Sequence, residues 1–328
     1  MKAIAYTQTG PAAEVLKLVD LPTPEPGPGQ VRVRLRWSGV NPSDVKSRAG
    51  LRTKTLAFPQ IVPHSDGAGE IDAVGTGVSS ARVGQSVWVW NAAWQRAHGT
   101  AAQAVVLPAA QAVPVPAGVS GEAAACLGIP ALTALHAVLM ADGVAGKRVL
   151  VAGGAGAVGH YAVQFARRLG AAQVVATVSS EVKAQLALAA GADATIDYRR
   201  EDLAARAAAL TDKAGFDRIV EVDAAANLAR DLELLAPGGD VALYGSGAAE
   251  IALPFFPAIV RNATLRAFIV YNLAPPDRER ALRTLAPLLA RGELQHHIAE
   301  RLPLEQCARA HEIVESGRAI GNVVLRID

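Results

Sequence analysis

Between Val149 and Ala171 the chain reads VLVAGGAGAVGHYAVQFARRLGA. A short apolar, β-branched run passes through a cluster of glycines and emerges as apolar residues at helical spacing. Few features restrict a fold as tightly. A strand that turns at once into a helix needs a bend nearly free of side chains, and the helix leaves its first N–H groups without intrahelical acceptors. Gly154, Gly156 and Gly159 stand in the spacing Gly-x-Gly-x-x-Gly. Each has an expected task. Gly154 permits the tight turn, Gly156 lets backbone N–H groups approach a pyrophosphate, and Gly159 lets the helix lie close to the strand. Ala155, Ala157 and Val158 fill in the cradle, and the helix N-terminus adds partial positive charge.

In a chain this rich in alanine and glycine the spacing alone is weak. Its context gives it weight. AQVVATVSS, ADATIDY, FDRIVEV and DVALYGS read as further strands. EVKAQLALAAG, EDLAARAAALT and NLARDLELLAPGG read as helices, the last stopped by Pro-Gly-Gly. Strand and helix alternate, and the strands are almost continuously apolar. That pattern predicts a doubly wound parallel sheet covered on both faces, an α/β class.

The first third reads differently. QVRVRLRWSGV, Gln30 to Val40, alternates with period 2 as a half-buried strand does, after a Pro/Gly loop, LPTPEPGPG. GEIDAVG and QSVWVW are further short strands, and the proline-rich PAAQAVPVPAGVS is expected to connect this mostly β domain to the next. A length of 328 residues suits two domains. A helix, DRERALRTLAPLLARG, and a closing strand, GNVVLRI, are placed to return to the first domain.

The end of the second strand selects the cofactor. A site for the 2′-hydroxyl of NAD places Asp or Glu there. Here Thr177, Ser179 and Ser180 stand at that end, with Lys183 just beyond and Tyr198 and Arg199 after the third strand. Hydroxyls and an ammonium welcome a 2′-phosphate that a carboxylate repels, so the expected cofactor is NADPH. Glu181 is the one discordant charge and is expected to face solvent.

Composition excludes other classes. The net charge of +2 gives no argument for nucleic acid or a membrane surface. Two cysteines, Cys126 and Cys307, cannot form a disulfide framework or a four-cysteine zinc lobe. The N-terminus has no apolar segment of signal-peptide type, and no run reaches the roughly 20 apolar residues of a membrane helix. A cytoplasmic protein is the expectation.

SGVNPSDVKSRAG, PHSDGAGEIDAVG, LGIPALTALHAV, GGAGAVGHYAVQFAR, AAGADATIDYRRED and ARAHEIVESGRAIGNVVL follow one another in that order. Together they resemble the medium-chain dehydrogenase/reductase superfamily, in its zinc-free quinone oxidoreductase (zeta-crystallin-like) branch. The resemblance covers nearly the whole chain. It implies a Rossmann domain over residues 118–263 and a split GroES-like catalytic domain over 1–117 and 264–328. It also implies a homodimer joined at the edge of the Rossmann sheet, with the segment IALPFFPAIVRNATLRAFIVYN supplying the edge strand.

By resemblance, Asn41, Thr133 and the backbone of Phe268, Ile269 and Val270 approach the nicotinamide. Asn227, Tyr244, Gly245 and Ser246 approach the adenosine and ribose groups, and Asn322 a C-terminal position near the phosphate or nicotinamide. Lys46 stands where relatives often carry Tyr near the substrate; it is either a proton donor or anion-attracting group there, or a solvated helix lysine. Asp44 caps the following helix or takes part in catalysis, and His136 is expected in the core or at the rim. Trp88 and Trp90 suit core packing and Trp94 a loop.

Zinc-dependent relatives carry Cys at the position of Asn41 and Gly-His-Glu where this chain has His64-Ser65-Asp66. His64 is one position off the ligand register and Ser65 takes the ligand's place, so no metal is expected. The implied reaction is hydride transfer from NADPH to a quinone or similar electron-poor small molecule. Reduction of the double bond of an α,β-unsaturated carbonyl or enoyl thioester is the alternative within enzymes. An NADPH-binding structural or regulatory protein with little turnover is the alternative from another class.

Overall fold

The computed structural model describes residues 1–328, which divide into two compact units. One comprises Met1–Pro130 with Leu288–Asp328, the other Ala131–Pro287.

The Ala131–Pro287 unit is built on six strands in the order Ala194–Asp197, Gln173–Val178, Arg148–Val151, Phe216–Glu221, Leu235–Leu243, Thr264–Ala267. All pairings are parallel. In chain order this is 3-2-1-4-5-6, the doubly wound Rossmann arrangement, whose order reverses beside Arg148–Val151. Helices Gly159–Arg168, Glu181–Ala189, Leu203–Leu210 and Ala224–Leu234 connect the first five strands. Leu150, Val175, Ile196, Ile219 and Val241 from the strands meet Ala207, Leu228 and Leu232 from the helices in one core. Each fully buried Leu, Ile or Val there contributes about 1.5–3 kcal/mol.

A buried cation also ties this unit together. Arg218, fully buried, forks onto Asp240 through Nε (2.5 Å) and Nη2 (2.6 Å). Its Nη1 donates to Met140 O at 3.0 Å, just past the Leu132–Leu139 helix. A bidentate pair with the third nitrogen bonded to backbone carbonyls is the arrangement in which a buried charge is tolerated.

Two expectations are corrected here. The Ala224–Leu234 helix does not run to Pro237-Gly238-Gly239; the fifth strand already begins at Leu235, opposite Phe216, and the register slips across that Pro-Gly-Gly segment. The unit boundaries fall after Pro130 and Pro287 rather than at 118 and 264. The reason is that Thr264–Ala267 is the sixth parallel strand, paired with Asp240–Leu243.

In the other unit, Gln30–Val40 is the strand around which the sheet is arranged. Asp66–Val74, Ala104–Pro108 and Asn322–Arg326 all pair antiparallel with it, so the C-terminal segment completes the GroES-like domain. Its alternation does what period 2 requires. Val31, Val33 and Leu35 are buried, while Arg32 and Arg34 lie on the other face, paired with Asp72 and Glu70. The proline-rich connector carries more structure than its composition suggests. Ala112–Pro114 is a short strand against Ser86–Val89, with its proline at the end where no ladder N–H is needed. Trp88 is buried in this unit's core.

Candidate functional site

The glycine turn is built by tasks distributed differently from those expected. Gly153, outside the motif, has φ +66° and makes the left-handed bend. Gly154 is needed for packing instead: a Cβ there would come 2.4 Å from the Cβ of Ala176 on the neighbouring strand. Gly159 does allow close approach, since its Cβ would stand 2.2 Å from the Gly153 carbonyl oxygen. Gly156 donates its N–H back to Gly153 O at 2.9 Å. The N–H groups of Ala157 and Val158, both half-buried, have no acceptor in the chain. The bend thus presents open donors at a helix start where side chains have been removed, which suits a pyrophosphate.

Thr177 is engaged in the turn itself. It is buried at the end of the second strand, where its Oγ1 accepts from Gly153 N–H (3.0 Å) and its carbonyl accepts from Gly154 N–H (3.0 Å). It holds the turn in shape. Ser180 caps the Glu181–Ala189 helix, its hydroxyl accepting from Lys183 N–H. Ser179 and Lys183, both half-buried, form a polar pair, with Lys183 Nζ donating to Ser179 Oγ at 3.0 Å. Glu181 is exposed and accepts from Gln185. Tyr198 follows the third strand, 47% exposed, with Arg199 exposed beside it.

At the ends of the fourth and fifth strands, Asn227 Nδ2 donates to Glu221 Oε1 at 2.9 Å, and the Asp223 N–H donates to the same oxygen. Glu221 Oε2 and Asp231 Oδ2 are buried with no N–H or hydroxyl donor. Desolvation, then the neighbouring Glu221 charge, pushes the Asp231 carboxyl far up. Asp231 therefore keeps its proton and donates it to Glu221. Burial likewise pushes the Tyr244 hydroxyl up. Gly245 passes Val222 so closely that a Cβ would meet its carbonyl oxygen at 2.1 Å. The Ser246 hydroxyl donates to Ala248 O at 2.7 Å.

Phe268 continues the sixth strand, its N–H donating to Leu243 O. Its ring meets His136 edge-on at 4.7 Å and Tyr244 at 6.5 Å. Ile269 and buried Val270 follow, and the Val270 carbonyl accepts from Arg278. Thr133 is buried in the first turn of the Leu132–Leu139 helix.

The remaining expected residues lie in the other unit. Asn41 caps the Pro42–Arg48 helix, and its backbone N–H donates to Asp44 Oδ2 at 2.8 Å. Asp44 thus serves the cap, and burial pushes its carboxyl up to about 7. The Asn41 side chain is nearly buried, with Nδ2 donating to Asp66 Oδ2 at 2.9 Å; the Ile129 N–H reaches the same oxygen at 3.0 Å. Gly128 leaves the room for this, since a Cβ would stand 2.3 Å from Asp66 Oδ1. Lys46 is half-buried on the Pro42–Arg48 helix. Asn322 opens the last strand and spends both its N–H and its side-chain amide on His297 O. At the position of a catalytic zinc, the Asn41 amide is a donor to Asp66 and Ser65 offers only a hydroxyl. That set does not fit an ion that takes nitrogen and sulfur ligands.

Sequence reasoning missed one group. His64, set aside on register, lies buried with Cys307 and His311. The available signal was the Cys-x-x-x-His spacing at 307 and 311, which puts both on one helix face.

Known proteins match over the whole length. Residues 27–117 match the family model of the alcohol dehydrogenase GroES-like domain, and residues 157–288 that of the zinc-binding dehydrogenases. The quinone oxidoreductase of Rattus norvegicus is 31% identical over 329 residues, spanning 99% of this chain and 97% of that protein. A solved structure described as an NAD-dependent alcohol dehydrogenase superposes with a TM-score of 0.92 at 33% identity, covering 100% of both chains. The Escherichia coli quinone oxidoreductase complexed with NADPH superposes with a TM-score of 0.87 at 27% identity, over 99% of this chain and 100% of that one.

Proposed function

This chain belongs to the medium-chain dehydrogenase/reductase superfamily, in its quinone oxidoreductase branch, and from that premise we propose an NADPH-dependent reductase of quinones or similarly electron-poor carbonyl compounds. The observation that carries the reading is the Lys183–Ser179 pair at the end of the second strand. It supplies a cation and a hydroxyl where an NAD site needs a carboxylate; of the nearby acids, Glu181 is exposed and engaged with Gln185, and Asp197, opposite Val178, accepts from the Arg199 N–H at 3.0 Å.

When bound, the cofactor supplies the hydride. The chain's own residues bind and orient. Ala157 and Val158 N–H groups receive the pyrophosphate, Thr177 fixes the bend through Gly153 and Gly154, and Lys183 and Ser179 receive the 2′-phosphate. Asn227, held by Glu221, and the Gly245–Ser246 segment suit the ribose side. Phe268–Val270 and Thr133 suit the carboxamide and nicotinamide side. A quinone accepts hydride without a Lewis acid. Its reduction needs placement, and near-attack placement alone is worth several kcal/mol. The donor set at Asn41 and Ser65, unfit for zinc, is consistent with such an acceptor.

We assign the molecule to homodimers. Phe255 and Phe256 are 71% and 75% exposed, and Ile259 and Val260 are exposed on the same short helix. This helix precedes Thr264–Ala267, the outermost strand of the parallel sheet. An apolar patch beside an open sheet edge is a surface that association covers.

The test is stopped-flow oxidation of NADPH and NADH against ortho-quinones, para-quinones and enones. Rapid single-turnover oxidation of NADPH by quinones, with NADH slower, is the expected result. Equal use of NADH sinks the cofactor choice. Oxidation by enones alone shifts the chain to double-bond reduction, and retention of NADPH without oxidation by any acceptor sinks the enzymatic reading.

A further inference from the structure

His64, Cys307 and His311 are each fully buried, and one potential ligand atom from each lies within 4.8 Å of the others. His64 Nε2 stands 2.8 Å from His311 Nε2 and 3.8 Å from Cys307 Sγ. The imidazoles are stacked, with centroids 5.1 Å apart. Cys307 and His311 lie four residues apart on one helix, and His64 comes from the segment before the Asp66–Val74 strand. His64 also holds φ at +77°, a conformation that costs a β-carbon residue energy and persists only where the surroundings enforce it.

The hydrogen-bond chain fixes the protons. Thr100 Oγ1 donates to the Asp66 carbonyl at 2.5 Å, so Ser38 Oγ, 2.8 Å away, must donate to Thr100. Ser38 then accepts from His64 Nδ1–H at 2.8 Å. His64 Nε2 therefore carries a lone pair and accepts from His311 Nε2–H. His311 Nδ1 is left as a buried acceptor with no donor, an arrangement that is ordinarily unfavourable.

We propose that His64 Nε2, His311 Nε2 and Cys307 Sγ form a buried three-coordinate site for one monovalent copper ion. With bonds of about 2.0–2.3 Å, trigonal ligands stand about 3.5–3.7 Å apart. The His64–Cys307 spacing already fits, and the two imidazoles have to part by somewhat under 1 Å. The ion replaces the proton shared between the Nε2 atoms. That proton moves to His311 Nδ1, which turns from a bare acceptor into an N–H donor, and the thiol proton leaves to solvent. His64 is pre-oriented by Ser38, as metal-bound imidazoles are by an outer hydrogen bond.

Charge and ligand type choose the metal. A thiolate with two imidazoles suits a soft d10 ion. Copper(I) and the thiolate sum to zero, whereas zinc leaves a net positive charge in a closed site. The Arg48 guanidinium, its side chain 1% exposed, is already paired with Glu315 Oε2 at 2.8 Å, so an added cation without a counter-charge of its own is costly there. The ion would tie the C-terminal helix to the strand segments around His64, and it shares no residue with the hydride-transfer site.

Protein made with added copper and purified without oxygen is expected to hold a single copper(I) ion per chain against a chromophoric copper(I) chelator. X-ray absorption should show one sulfur and two nitrogen neighbours. Cys126→Ala, at the other buried thiol, should keep the metal, and Cys307→Ala and His311→Phe should lose it by about tenfold or more. Zinc in place of copper, a copper neighbour shell without sulfur, or folded wild-type protein without stoichiometric metal overturns the proposal. If either cluster variant fails to fold, the metal content and absorption spectrum of the wild-type protein decide alone.

Discussion

Gly159 packs directly beneath Gly153: a single added carbon on Gly159 would stand 2.2 Å from the Gly153 carbonyl oxygen, well inside van der Waals contact. The contact joins the left-handed residue of the bend to the first residue of the helix. It therefore sets where the Ala157 and Val158 N–H groups point. Gly159→Ala is expected to cost about 1–3 kcal/mol of stability, as overpacking against an unyielding backbone does. It should weaken NADPH binding further by turning those donors. Gly156→Ala, whose Cβ would meet only Gly153 O at 3.2 Å, should cost under about 1 kcal/mol. Chemical denaturation and fluorescence titration with NADPH check both; equal losses in the two variants would remove the special role of the Gly159–Gly153 contact.

In the proposed function, Lys183 carries the cofactor preference. A charge-assisted hydrogen bond is worth about 1.5–3 kcal/mol. Lys183→Ala is therefore expected to raise the KM for NADPH about tenfold to a hundredfold, with little effect on that for NADH. Steady-state kinetics with both coenzymes check this. A parallel loss with both would mean that Lys183 supports the helix start and not the phosphate.

The dimer assignment rests on the Phe255–Val260 helix and the sheet edge that follows it. Phe256→Glu places a charge in the patch at a side chain that is 75% exposed. Sedimentation velocity is expected to show a dimer for the wild-type protein and a monomer for the variant, with an unchanged circular dichroism spectrum. A wild-type monomer at micromolar concentration would refute the assignment.

The parallel sheet was legible because strand–helix alternation and apolar strands leave few other ways to bury both faces. The Gln30–Val40 strand was legible because Val31, Val33 and Leu35 alternate with arginines. The division of labour among the glycines was not. Which glycine turns left-handed depends on where the strand's last pairing falls, and that placed the bend at Gly153. Sequence shows Thr177 only as a hydroxyl at a strand end; that it accepts from the Gly153 N–H and shapes the bend is visible only in the fold. The edge strand was expected within IALPFFPAIVRNATLRAFIVYN, yet the boundary was drawn at 264, ahead of Thr264–Ala267, because no composition change marks where the sheet ends. His64 and Cys307 are 243 positions apart, and only folding brings them together.

The shared proton between Asp231 and Glu221 makes stability depend on pH in a predictable sense. In the unfolded chain Asp231 ionises near its ordinary value of about 3.9. In the folded protein desolvation, then the Glu221 charge, holds its proton well beyond that. Between the two values the native state binds more protons than the unfolded state, so stability falls as pH rises through this window, by up to about 1.4 kcal/mol per pH unit for one group. Asp231→Asn removes the ionisation and keeps an N–H donor for Glu221. The variant should match the wild type near pH 4 and exceed it increasingly toward pH 8, by up to about 1.4 kcal/mol for each pH unit between. Urea unfolding at both pH values checks this: a variant destabilised equally at each would show that Asp231 is ionised in the fold and that Glu221 takes its donor from elsewhere.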